Sequence, residues 1–133
     1  MAKSAKNLVR EFYTSDLNPE LVGELLHPEA ELFWNSSSGF KKMKYQDIVD
    51  MITEISKSFS SLRSDISHIL KDNDNVCIRF TYHVRTMENP REELPMAHFI
   101  AIWEIRDGKL FKGHQISQPA DDSPENLSSF LSY

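Results

Sequence analysis

The chain has 133 residues, with 15 basic against 20 acidic side chains and a formal net charge of -5. That acidic balance argues against a nucleic-acid-binding surface, which is usually basic, and the length suits a single domain over 1–133 that buries roughly two thirds of its unfolded surface. No apolar run approaches the roughly 18 residues that span a bilayer, no basic-then-apolar leader opens the chain, and Cys77 is the only cysteine, so the expectation is a cytoplasmic protein with no membrane segment and no internal disulfide.

In chain order, Ala5, Leu8, Val9, Phe12 and Tyr13 recur at the spacing of a helix over Ser4 to Thr14 that packs one face. Asn18-Pro19-Glu20 is a helix start: an N-cap, a proline at the first helical position and an acid in the first turn. That helix carries Leu21, Val22, Leu25 and Leu26 and ends near His27-Pro28, because proline disfavours helical geometry in the residue before it. Glu29 to Asn35 is predicted as a brief strand, followed by a Ser-rich loop to Gly39. The cluster Lys41, Lys42 and Lys44 is placed in a solvated loop. A third helix is predicted from about Tyr45 to Lys57, with Tyr45, Ile48, Val49, Ile52 and Ile55 on one stripe.

The period then changes from helical to two. Leu62 to Leu70 and Val76 to Thr86 are predicted as strands joined by Asp72-Asn73-Asp74-Asn75, residues that tolerate turn geometry. Val76, Ile78, Phe80, Tyr82 and Val84 share one face of the second strand; alternation alone leaves the facing of the first open. After an exposed loop from Met87 to Glu93, the stretch Leu94 to Gln118 is a long hairpin about Asp107-Gly108, where glycine supplies positive φ without strain. A two-residue turn pairs Ile105 with Leu110, Trp103 with Lys112, Ala101 with His114 and Phe99 with Ile116. Ser123-Pro124-Glu125 is a further helix start in the tail 119–133, ahead of Leu127, Phe130 and Leu131. Helices followed by long antiparallel strands predict an α+β fold with a core over about 5–118.

Three stretches, LVREFYTSDLNPELVGELLHPEAELFW, NDNVCIRF and IWEIRDGKLFKGHQ, together with this element order, resemble the nuclear-transport-factor-2-like superfamily, and within it the SnoaL-like branch. The resemblance implies a cystatin-like cone, a curved antiparallel sheet wrapped around N-terminal helices. It also implies an apolar pocket and activities ranging from polyketide cyclisation to isomerisation, dehydration and epoxide hydrolysis, so fold likeness assigns no chemistry by itself. The cyclases of the branch resemble one another in an Asp late in the last strand. Here that region reads His114 to Pro119, and the first acid, Asp121, lies beyond the proline. An isomerase reading would pair Tyr82 as donor with an Asp base such as Asp65.

By the family pattern Trp103 and Ile105 point inward, which puts Phe99, Leu110, His114, Ile116 and Gln118 on the inner face. The candidate pocket is therefore Trp34, Phe80, Phe99, Trp103, Ile116 and Gln118, with His114 and Tyr82 as candidate catalytic groups. An imidazole in an apolar cavity moves protons near neutral pH; the plainer reading is a core histidine bonded to a carbonyl or to Tyr82. Arg79, Thr81, His83, His98, Ile100, Ile102, Phe111 and Gln115 alternate outward and form a candidate homodimer surface. The five histidines are scattered without a ligand-pair spacing, so no metal or other cofactor is expected. Two functions follow as expectations. One is a pocket protein for a small apolar molecule, with or without cofactor-free proton transfer; the other is a non-catalytic dimerisation or protein-association module.

Overall fold

A computed structural model describes residues 4–15, 18–120, 125 and 129. Among these, three helices and six strands follow in the order α1 (Ala5–Tyr13), α2 (Pro19–Leu25), β1 (Leu26–Ser36), β2 (Gly39–Lys44), α3 (Tyr45–Ser56), β3 (Phe59–Asp72), β4 (Asn75–Thr86), β5 (Leu94–Arg106) and β6 (Lys109–Pro119). The predicted helix around Leu127, Phe130 and Leu131 lies outside the described residues. No helix among them is long and apolar enough to cross a membrane.

The helix starts follow their local chemistry. The Ser4 side chain accepts from the Asn7 amide at the head of α1, and the Asn18 side chain accepts from the Glu20 and Leu21 amides at the head of α2, filling donors that the first turn leaves open. The lysine cluster is not a loop. It forms edge strand β2, paired antiparallel to β1, and β-branched residues are absent from GFKKMK, so propensity did not announce it. Lysines on an edge strand also discourage pairing with another chain.

The six strands form one curved sheet in the order β2-β1-β6-β5-β4-β3. All neighbours are antiparallel except β1 and β6, which run parallel, so the sheet is mixed rather than wholly antiparallel. The helices lie on its inner face. Leu8, Val9 and Phe12 from α1, Val22 and Leu25 from α2 and Ile48 from α3 meet Val76, Ile78, Phe80, Ala101 and Trp103 in one buried cluster. In β3, Ile66 faces Phe80 and Ile69 faces Ile78, and both pack against that core. Asp65 faces Thr81 and so lies on the outer side.

The β5–β6 hairpin turns at Asp107 and Gly108, with φ of 55° and 72°, the pair of positive values a tight primed turn requires. Ile105 pairs with Leu110 as expected. A bulge then intervenes, and Trp103 faces Gly113 instead of Lys112, Ala101 faces Gln115, and Phe99 faces Ser117. One extra residue on β6 reverses the facing of every residue beyond it. The cause is steric and electrostatic. Simple pairing would set Lys112 against Trp103 in a fully buried layer, whereas a Cβ on Gly113 would lie 2.6 Å from the indole. Only glycine leaves room for the ring, and the bulge turns Lys112 outward opposite Glu104.

Candidate functional site

At the end of the sheet opposite the Asn73-Asp74 and Asp107-Gly108 turns, the helices and strands separate and enclose a cavity of about 80 Å³. Phe12, Tyr13 and Ser15 at the end of α1 form one wall, and Met51, Ile52 and Ile55 on α3 another. Leu32 and Trp34 from β1, Leu62 from β3, Tyr82 from β4, Met96 and Phe99 from β5 and Gln115 from β6 complete it. Thus alternation within strands and one helix stripe supply the apolar lining, while a helix C-terminus delivers Tyr13.

The polar groups form a relay. Trp103 Nε1 donates to the Tyr13 hydroxyl at 2.9 Å, and that hydroxyl donates to Gln115 Oε1 at 2.6 Å. An indole only donates, so the Tyr13 oxygen is the acceptor there and its proton is free for the Gln115 carbonyl. Ser64 Oγ donates to the Tyr13 carbonyl, and Trp34 Nε1 donates to Ser117 Oγ at 2.9 Å. Burial pushes the Tyr13 phenol well above its ordinary value, against a smaller opposing effect of the Trp103 donor. Burial, then the neighbouring Tyr13, does the same to Tyr82. Both phenols therefore stay neutral hydrogen-bonding groups at physiological pH.

Of the predicted pocket residues, Trp34, Phe99 and Tyr82 line the cavity. Phe80 and Trp103 are fully buried beside it, Phe80 stacked on Phe99 with centroids 5.1 Å apart. His114, Ile116 and Gln118 do not face inward. Beyond the bulge they pair with Ile102, Ile100 and His98 on the outer face, where His114 is exposed and stacks on Phe33 at 5.1 Å. The side chain that takes the inner position is Gln115, expected outside and found 6% exposed. Tyr13 and Gln115 are the residues whose importance sequence reasoning missed. Tyr13 was visible on a buried helix stripe, but the signal for Gln115 was indirect, a lysine set against a core tryptophan.

On the outer face, Arg79, His83, Ile100 and Ile102 take the expected side. Thr81 and His98 join them there but are 3% and 2% exposed and hydrogen-bonded to each other at 2.7 Å. Arg79 donates to the Ser129 carbonyl at 3.0 Å. Phe111, the bulged residue, is no surface group: it is 8% exposed, packed edge-on against His27 and under Arg106 at 4.0 Å. Among the described residues no group of His, Cys, Asp or Glu has the arrangement to hold a metal.

The SnoaL-like domain model matches residues 8–112, and no curated protein matches the sequence. Among solved structures, a putative polyketide cyclase, IdmH, from Streptomyces antibioticus superposes with a TM-score of 0.69 at 16% identity, covering 95% of this chain and 97% of that one. The putative hydroxylase AclR from Streptomyces galilaeus gives 0.70 at 14%, covering 94% and 92%. A protein from Catenulispora acidiphila with a ketosteroid-isomerase-like fold, in complex with trimethylamine, gives 0.67 at 12%, covering 98% and 93%. At these identities the likeness is one of fold.

Proposed function

The chain belongs to the SnoaL-like domain family, and on that footing we propose that it binds a compact, largely apolar small molecule in the cavity between α1, α3 and the sheet. The observation that carries this reading is an aromatic and thioether-lined cavity that a buried polar relay enters at one point. Small-molecule sites have this make-up, apolar walls with a few placed polar groups. The volume of about 80 Å³ sits well below the roughly 300–1,000 Å³ of drug-sized pockets, so the favoured ligand is small. Met51 and Met96 are flexible enough to widen the space.

Among the described lining residues there is no carboxylate and no imidazole. Proton transfer near neutral pH needs a group that titrates there, and neutral Tyr13, Tyr82 and Gln115 do not. That favours binding, or polarisation of a bound group, over acid–base catalysis of the kind the family resemblance suggests. The test is native mass spectrometry of protein from its own host, followed by release of bound material. A reproducible small molecule that is lost from Phe99→Trp, which fills the cavity, supports the reading; an empty protein that also fails to bind small apolar probes overturns it.

A second reading concerns assembly. Ile100, Ile102 and Ile116 are adjacent on the outer face and 40%, 45% and 59% exposed. We propose that this patch pairs with its copy across a two-fold axis in a homodimer, as contiguous exposed apolar surface tends to mark a contact site.

A further inference from the structure

The direction of the relay selects the ligand's chemistry. Gln115 is buried, its Oε1 is occupied by the Tyr13 hydroxyl, and its Nε2 has no hydrogen-bond partner among the described residues while the side chain lines the cavity. Trp103 can only donate, so the Tyr13 proton is free for Gln115; the 2.6 Å contact suits O–H···O geometry, and a flipped amide would leave that proton without its acceptor. Nε2 is therefore held as a donor. Donation into its carbonyl from Tyr13, itself receiving the indole proton, polarises the amide and strengthens that N–H. A ligand without an acceptor leaves a buried donor unpaired.

We propose that Gln115 is the specificity-determining residue of this cavity and that its ligand is an uncharged molecule carrying one carbonyl-type acceptor. A carboxylate could also accept from Nε2, but no cation stands among the described lining residues, and an unpaired charge in such a place is heavily penalised. A donor-only ligand meets the N–H head-on. The inference rests on the small-molecule reading above and adds to it the class of ligand.

The experiment compares three probes of similar shape, cyclohexanone, methylenecyclohexane and cyclohexanecarboxylate, by calorimetric and fluorescence titration, with Trp34 on the cavity wall as reporter. The expected order is cyclohexanone tightest, methylenecyclohexane weaker by about tenfold, and the carboxylate weakest. In Gln115→Met the ketone's advantage over the hydrocarbon should vanish. Because that variant also removes the Tyr13 acceptor and could unfold, a second readout uses the unaltered protein: the Gln115 side-chain amide proton resonances should move on adding cyclohexanone and not on adding methylenecyclohexane. Equal affinity for ketone and hydrocarbon, a ketone advantage that persists in Gln115→Met, or an unmoved amide resonance on ketone binding overturns the assignment while leaving the cavity reading intact. If none of the probes binds, the cavity reading falls, and this one with it.

Discussion

At the scale of single residues, the contrast between His114 and Gln115 decides what the site can do. Neighbours in sequence, they point to opposite sides of the sheet, one stacked on Phe33 in solvent and the other bonded to Tyr13 in the interior. His114→Ala is expected to shift stability by less than about 0.5 kcal/mol, as exposed substitutions usually do, and to leave probe binding unchanged; equilibrium denaturation and titration check both. Gln115→Leu should cost about 1–3 kcal/mol by leaving the buried Tyr13 hydroxyl without its acceptor, read from the same denaturation curves. A pH effect belongs here too. Partial burial and the adjacent Arg63 lower the His83 pKa from its ordinary 6.5, and the Arg63 ion pair lowers that of Glu93 from 4.5. Both groups have folded pKa values below their unfolded ones, so their contribution is present above those ordinary values and is lost as pH falls. The melting temperature should drop on acidification, first below about 6.5 and again below about 4.5, and His83→Gln should remove the first step.

Among the elements, the β5–β6 hairpin carries most of the consequence. Its turn was legible because Asp-Gly chemistry is local: Asp107 and Gly108 take positive φ whatever packs around them. Its register was legible only as far as Ile105 and Leu110. Gly113 is where tertiary packing intervened, since the Trp103 indole fills the space a side chain would need. Gly113→Ala should displace the ring and cost about 1–3 kcal/mol, with loss of the near-ultraviolet signal of the fixed indole as the second readout. The helices behave more simply. Asn18 caps α2 through two amides, and Asn18→Ala should cost about 1 kcal/mol in thermal unfolding.

For the whole molecule, the sheet has an inner face closed by three helices and an outer face left with a stripe of isoleucines. If the proposed homodimer uses that stripe, Ile102→Glu buries a charge against apolar partners. Sedimentation velocity should then show a dimer for the parent chain and a monomer for the variant, with unchanged helix and sheet content by circular dichroism. A parent chain that sediments as a monomer rejects the dimer and leaves the cavity untouched, because the two lie on opposite faces.

The sequence by itself determined the α+β class, the three helices with the Asn18 cap of α2, the long strands and the apolar inner face of β4. These depend on turn chemistry, capping and periodicity, all of which act within a few residues. Tertiary structure alone decided that the lysine cluster forms an edge strand, that β1 runs parallel to β6, and that Gln115 rather than His114 reaches the interior. Each of these is set by a partner distant in the chain: β1 recruits β2 into the sheet, and Trp103 claims the space beside Gly113. In a strand, whose side chains alternate, one bulged residue is enough to exchange the two faces, and no pattern read along β6 alone contains the indole that forces it.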